Sequence, residues 1–363
     1  MLVDIIAGAR PNFMKIAPII HEIERVKHPK LSYRLVHTGQ HYDKRMSEDF
    51  FDQLNIPKPD VNLESGSGTQ AEQTAKIMVR YESLLLKEPS DLTLVVGDVN
   101  STMACSIVAK KLNQRVAHVE GGIRSFDLSM PEEINRMVTD SIADYFFITS
   151  DTANKNLIKE GVPGEKIFFV GNTMIDTLLA NRKRFTKPSC WDDLGLQKGG
   201  YIVMTLHRPA NVDEESSLIE LISTIIESGE DVPIIFPIHP RTAQVFETAG
   251  WEHPRLKLVD PLPYLEFNFL VENSMGVITD SGGITEETTV MGVPCMTLRD
   301  NTERPETCTV GTNELLGTNP RAVAPAIRKL LDGKWKKGGI PPLWDGKCAS
   351  RIVEQLVKIS DEI

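Results

Sequence analysis

Short apolar runs alternate along almost the whole chain with longer stretches whose apolar residues recur at helical spacing. Eleven runs read as strands: Leu2–Ala7, Tyr33–His37, Leu92–Val96, Val116–Val119, Tyr145–Ile148, Ile167–Val170, Tyr201–Thr205, Ile234–Ile238, Leu256–Val259, Met275–Thr279 and Val293–Thr297. Several are rich in Val, Ile and Leu without polar alternation, as parallel strands covered on both faces are. Between them lie segments such as Thr69–Leu86, where Ala71, Ala75, Met78, Tyr81 and Leu85 mark one face and Pro89 follows the end. Strand and helix signals in alternation predict βαβ units and hence an α/β fold of parallel sheets.

The rhythm breaks once, between about Asn172 and Gly200, where a helical stretch turns polar and carries Pro188 and the Gly199-Gly200 pair. It then restarts. The pattern predicts two Rossmann-like, doubly wound domains, 1–172 and 173–347, with ligand at the carboxyl ends of both sheets in a cleft between them. A last helix is predicted over Ser350–Ile359. A chain of 363 residues suffices for two domains with real cores.

Composition narrows the function classes. Hydrophobic residues at 41% and charged residues at 25% are those of a globular protein. Fifty acids against forty bases give a net charge of −10, which argues against a nucleic-acid partner. An anionic substrate must then be held by local cations, because the overall field repels it. Five cysteines without a CxxC spacing fit a reducing compartment and neither a disulfide framework nor a zinc site. The first residues enter a strand directly and no apolar run reaches a membrane span, so a cytoplasmic protein without membrane contact is expected.

Chemistry-bearing residues collect where strands give way to helices. The run Met275–Thr279 turns through Asp280-Ser281-Gly282-Gly283 into a segment carrying Glu286 and Glu287. Such a turn aims unpaired N–H groups at one point, and its glycines let a phosphate approach the backbone. A carboxylate one turn on can accept bonds from sugar hydroxyls. An ordinary turn with Asp280 or Ser281 as N-cap explains the same letters. Strand one ends in Gly8-Ala9-Arg10-Pro11, with Lys15 five residues beyond Arg10, two cations suited to an anion or simply solvated. Asp98 follows the strand ending at Val96 and is either a site carboxylate or a helix cap. Glu120 ends another strand, where a cap is a poorer explanation. Pro131-Glu132-Glu133 opens a helix in a way that capping alone would favour. His207-Arg208 and His239-Pro240-Arg241 follow strands of the second half, and Arg304 lies in a loop beyond its last clear strand. Gly66-Ser-Gly68-Thr-Gln-Ala71 spells a dinucleotide fingerprint but does not follow the first strand, so no NAD site is read there. No ligand cluster points to a metal, and no cofactor is expected.

Taken in order, Gly-Ala-Arg-Pro-x-x-x-Lys, Gly-Asp-x-x-Ser-Thr, His-Val-Glu-x-Gly-x-Arg-Ser, Met-Pro-Glu-Glu-x-Asn-Arg, Val-Gly-Asn-Thr, Thr-Asp-Ser-Gly-Gly-x-x-Glu-Glu and Glu-Arg-Pro-Glu strongly resemble the UDP-N-acetylglucosamine 2-epimerase family from residue 3 to about 355. The resemblance implies a glycosyltransferase-B-like fold, a homodimer, and a C-terminal helix (348–363) packing back on the first domain. It implies an enzyme that interconverts UDP-GlcNAc and UDP-ManNAc by eliminating UDP to a bound glycal and re-adding it, supplying ManNAc units for cell-surface polysaccharide. It casts Asp98, Glu120, Glu132 and His207 as catalytic, and Arg10, Lys15, Phe267, Ser281, Gly282, Gly283, Glu287 and Arg304 as substrate-binding. The chain departs from the family at Ala9 (usually Thr), Asn12 (usually Glu), Gly121 (usually Ala) and Leu262 (usually Gln). The Ala-for-Thr change also occurs in relatives that epimerise a UDP-diacetamido-uronate, which is therefore an alternative. A hydrolysing 2-epimerase and a non-catalytic UDP-sugar sensor are the others. Gln40-His41 is a candidate for an activator site.

Overall fold

The computed structural model describes residues 1–39, 53–208, 211, 214–238, 243, 246, 248 and 250–361. The chain divides into two compact units, Met1–Ala180 with Pro342–Ile363, and Asn181–Pro341.

The first unit is built on a parallel sheet of seven strands among the described residues: β1 (Leu2–Ala7), β2 (Ser32–His37), β3 (Val61–Asn62), β4 (Leu92–Val96), β5 (Arg115–Val119), β6 (Tyr145–Ile148) and β7 (Ile167–Phe169). Their order is β3-β2-β1-β4-β5-β6-β7, so the winding reverses between β1 and β4. That reversal opens a crevice at the carboxyl ends of those two strands. All five side chains of β4 are buried, as expected of a central strand covered on both faces. Helix Gln70–Lys87 starts at a reciprocal cap between Thr69 and Glu72, which explains the Gly66–Ala71 motif as a helix entry. It buries Ile77, Tyr81 and Leu85. Beneath it, Arg34 grips Asp4 through two 2.8 Å bonds, a buried charge pair joining β1 to β2.

The chain returns to this unit at its end. The indole N–H of Trp344 donates to Thr149 O at 3.1 Å, and Gly171, at φ 96°, leaves no room for a Cβ beside the Leu343 carbonyl. Asp176 accepts the first N–H groups of helix Cys348–Asp361, from Cys348 (3.0 Å) and Ala349 (2.7 Å). That helix buries Ile352, Val353, Leu356 and Ile359 on one face.

The second unit carries six parallel strands among the described residues: β8 (Ile202–Thr205), β9 (Ile234–Pro237), β10 (Leu256–Val259), β11 (Gly276–Thr279), β12 (Cys295–Thr297) and β13 (Asn313–Leu315). Their order, β10-β9-β8-β11-β12-β13, reverses between β8 and β11. Its core packs Ile202, Met204, Ile222, Phe236, Ile278, Met296 and Ile327 between sheet and helices. Both units are therefore doubly wound α/β layers, the fold class read from the alternating pattern.

Candidate functional site

In the first unit, three strand ends converge. Asn12, 2% exposed, accepts the N–H of Gly8 (3.1 Å) and Ala9 (2.9 Å) through Oδ1 and donates from Nδ2 to Val96 O at 3.0 Å. It thus fastens the turn after β1 to the end of β4, using a donor and an acceptor that one ionised glutamate cannot supply together. Lys15, on helix Arg10–Val26, reaches Glu120 at 2.8 Å. A Cβ built on Gly97 would stand 3.3 Å from Lys15 Nζ and 3.8 Å from Glu120 Oε2, so β1, β4 and β5 deliver these groups to one place. Glu120 is buried and adopts φ 71°, a left-handed conformation that is costly for a residue other than glycine.

Asp98, next after Gly97, pairs with Arg136 at 2.6 Å. Arg136 and Glu132 lie on the same helix, Pro131–Ile142. Glu132 is exposed at its first turn. Its neighbour Glu133 is buried and receives the N–H groups of Ser125 (3.0 Å) and Phe126 (2.9 Å), which makes it the acid that fixes the preceding loop. Arg10 opens helix Arg10–Val26, but its side chain lies outside the described residues, as do Gln40-His41 and His239-Pro240-Arg241.

In the second unit, Asp280 ties the end of β11 to the loop after β8. It is fully buried and accepts the N–H of His207 (3.0 Å) and Arg208 (2.9 Å), the Asn211 amide (3.0 Å) and His207 Nδ1 at 2.7 Å. Burial opposes its ionisation, yet His207, Asn211 and the Arg208 N–H together hold its carboxyl below the ordinary value. Asp280 is thus not the helix cap. Ser281 holds the N-cap position of helix Gly282–Met291 and makes no side-chain cap bond. The first N–H groups of a helix have no partner within the helix itself. A Cβ on Gly282 would meet Glu303 Oε1 at 2.9 Å, so glycine is needed there for close packing.

Behind this turn lies a group of buried charges. Arg299 pairs with Glu303 at 2.7 Å; burial resists the charge, but Arg299 and then Arg304 pull the Glu303 carboxyl down to about 2. Arg304 pairs with Glu286. Glu287 accepts the Tyr264 hydroxyl at 2.8 Å, and burial pushes its carboxyl up to about 7. Glu306 is raised to about 7 by burial as well, and among the described residues neither of its buried oxygens has a hydrogen-bond partner. Phe267, one turn from Tyr264 on helix Tyr264–Asn273, is half-buried against Val271 and Leu270.

The first unit thus brings together Lys15, Glu120 and the Gly97–Asp98 turn, and the second gathers His207, Ser281, Gly282, Gly283, Glu287, Phe267 and Arg304. Asn12, Arg136, Asp280 and Glu306 are site neighbours to which sequence reasoning gave no site role. Asp280 had a visible signal, a carboxylate directly before the glycine turn. Arg136 and Glu306 stand inside the motifs, but their partners are fixed only by the fold.

Two doubly wound sheets with acids and cations at their strand ends define an α/β protein of the two-Rossmann-domain class. The family model described as UDP-N-acetylglucosamine 2-epimerase matches residues 23–357, and the chain belongs to that family. It is 42% identical over 368 residues to the UDP-N-acetylglucosamine 2-epimerase of Methanocaldococcus jannaschii, covering 98% of this chain and 99% of that one. It is 40% identical over 358 residues to the UDP-2,3-diacetamido-2,3-dideoxy-D-glucuronate 2-epimerase of Pseudomonas aeruginosa, covering 98% and 99%. The crystal structure of the M. jannaschii UDP-GlcNAc 2-epimerase with UDP-GlcNAc and UDP matches with TM-score 0.88, over 99% of this chain and all of that one. The fold is glycosyltransferase-B-like.

Proposed function

We propose that the protein is an isomerase that interconverts UDP-GlcNAc and UDP-ManNAc. The observation that carries this reading is the couple of part-buried Lys15 and buried Glu120, next to the Gly97–Asp98 turn, at the carboxyl ends of three adjacent strands. The sugar C2–H has no adjacent carbonyl and is a very weak acid. Epimerisation therefore proceeds by elimination: a carboxylate takes the C2 proton while the C1–O bond breaks and its electrons leave with UDP. The product is a bound 2-acetamidoglucal. UDP oxygen then re-forms the bond to C1 as a proton is delivered to the opposite face of C2. Glu120, Asp98 and Glu132 are the acids for the two faces, each contributing roughly 10²–10⁴-fold.

The departing diphosphate is stabilised by cations more than by the helix end. A helix dipole supplies about 0.3–2 kcal/mol. Losing one well-placed donor to developing charge costs about 3–4 kcal/mol. Arg10, Lys15, His207 and Arg304 take that role, the N–H groups after Ser281 receive phosphate, Glu287 takes ribose hydroxyls and Phe267 lies against the uracil. The enzyme works as a homodimer in the cytoplasm and feeds ManNAc to cell-surface polysaccharide. Light scattering at twice the 40.5 kDa chain mass checks the dimer.

NMR of the protein with UDP-GlcNAc in D₂O tests the activity. Deuterium at C2 in a mixture of the two UDP-sugars is expected. Free ManNAc would show hydrolysis instead, and binding without turnover would show a sensor. The similarity to the uronate epimerase, with Ala9 in the first turn, favours UDP-diacetamido-glucuronate as the second reading. Turnover of that sugar alone would establish it.

A further inference from the structure

One histidine joins the two turns that carry the acids of the first unit. His118, on β5, is completely buried. Its Nδ1 lies 2.6 Å from Asp140 Oδ1 and its Nε2 lies 2.8 Å from the carbonyl of Gly97. A carboxylate and a peptide carbonyl are both acceptors, so the ring bridges two acceptor groups on different elements. Asp140, on helix Pro131–Ile142, also accepts the N–H of Gly122 at 2.9 Å and the Arg124 guanidinium at 2.6 Å. The result is a continuous chain of bonds from the Gly97 carbonyl through His118 and Asp140 to the Gly122 N–H. Asp98 follows one end of that chain directly, and Glu120 lies two residues before the other.

Arg124 bridges Asp140 and Glu160, the last gripping it through bonds of 2.9 and 2.6 Å. Gly121 is pressed against this chain of bonds, since a Cβ there would stand 3.3 Å from Asp140 Oδ1 and 3.0 Å from the Phe146 ring. Glu120 itself sits in a left-handed conformation, which persists only where the surroundings over-determine it. Its own N–H is held by Phe147 O at 2.9 Å, and the Gly122 bond fixes the other side of the turn.

We infer that His118 and Asp140 are positioning residues that hold the Gly97–Asp98 and Glu120–Gly122 turns in mutual register for proton transfer at the sugar. The inference rests on the epimerase reading. Neither residue touches substrate, and each acts by fixing the backbone from which a carboxylate projects. A displacement of about 1 Å in such a group costs on the order of 100-fold in rate. A purely structural staple would lower stability and leave the folded enzyme's turnover intact.

His118→Gln and Asp140→Asn separate these roles. Glutamine retains an N–H for Gly97 but not for Asp140, and asparagine keeps the shape of Asp140 while turning one acceptor oxygen into a donor. The assay is C2 deuterium incorporation into UDP-GlcNAc at saturation, with KM, UDP affinity by calorimetry and thermal melting of each variant. The expected result is a fall in kcat of roughly 100-fold with KM and UDP affinity within about threefold of wild type. Variants that bind UDP and keep kcat within about threefold overturn the inference. If Asp140→Asn does not fold, His118→Gln decides alone; if neither variant folds, the pair is a structural staple and the inference falls. Absence of turnover in the wild type refutes the epimerase reading itself, a result distinct from both.

Discussion

Replacing Glu306 with glutamine should stabilise the protein above neutral pH and do nothing for it in acid. Glu306 is buried beside Arg304, and among the described residues both carboxylate oxygens lack a hydrogen-bond partner. Burial raises its carboxyl from 4.5 to about 7 in spite of Arg304, with Glu286 and Glu303 adding to the rise. In the unfolded chain it ionises at the ordinary value. The folded state therefore binds the proton more tightly, and the stability this provides is complete below about pH 4.5. It is lost as the pH rises through about 7. At about 1.4 kcal/mol per pH unit, the loss above neutrality is roughly 3 kcal/mol.

Glutamine has the same shape and no charge, so Glu306→Gln removes that loss. Its amide oxygen finds no donor among the described residues where the carboxylate found none, which costs on the order of 1 kcal/mol. The net gain is about 2 kcal/mol at pH 8, or roughly 4–8 °C in the melting of a domain of this size. Calorimetric scans of wild type and variant at matched pH from 4.5 to 8.5 measure it. The offset should open between pH 4.5 and 7 and then stay level. An offset equal at every pH, or a variant that melts lower at pH 8, would refute the reasoning. Turnover should fall in the same variant, because a group kept at such a cost beside Arg304 is placed for function.

Lys15→Met should lower kcat by roughly 100–1,000-fold, the usual loss for a donor to developing charge, while the UDP-binding unit still titrates with UDP in calorimetry. Unchanged kcat would remove the Lys15–Glu120 couple from the mechanism. Gly122→Ala should cost more than about 3 kcal/mol, since its Cβ would stand 2.5 Å from the Ala153 carbonyl at a residue with φ 79°. Urea unfolding measures the loss, and a variant within about 0.5 kcal/mol of wild type would contradict the packing described.

How far the letters of the chain reach into the structure depends on the range of the interaction. The strand Leu92–Val96 is bounded as its apolar run indicates, because burial on both faces writes itself directly into composition. The edge strands Val61–Asn62 and Asn313–Leu315 are barely visible or invisible, being two and three residues long and partly polar. Glu120 and Asp98 were legible because each stands at the end of such a run. The cation that holds Asp98 was not, since Arg136 lies 38 residues from it and meets it only through the fold. The cap reading of Asp280 failed for the same reason: its partners are on the neighbouring strand's loop, not on its own helix.

The buried charges of the second unit also make UDP affinity depend on pH. Glu303 is matched by Arg299 and Glu286 by Arg304, which among the described residues leaves Glu287 and Glu306 without an ion-pair partner. Both are raised to about 7 by burial, so near neutrality the group avoids excess negative charge by holding protons. Above that pH the two carboxylates ionise and oppose a diphosphate arriving at the Gly282 turn. Each unit charge at a separation near 10 Å and an effective dielectric near 20 contributes about 1–2 kcal/mol of repulsion. UDP affinity should then fall by roughly five- to thirtyfold per carboxylate between pH 6.5 and 8.5. Calorimetric titration with UDP across that range measures the slope, and Glu306→Gln should remove about half of it. Affinity that is flat in the wild type, or a slope untouched in the variant, would mean that these acids do not face the nucleotide.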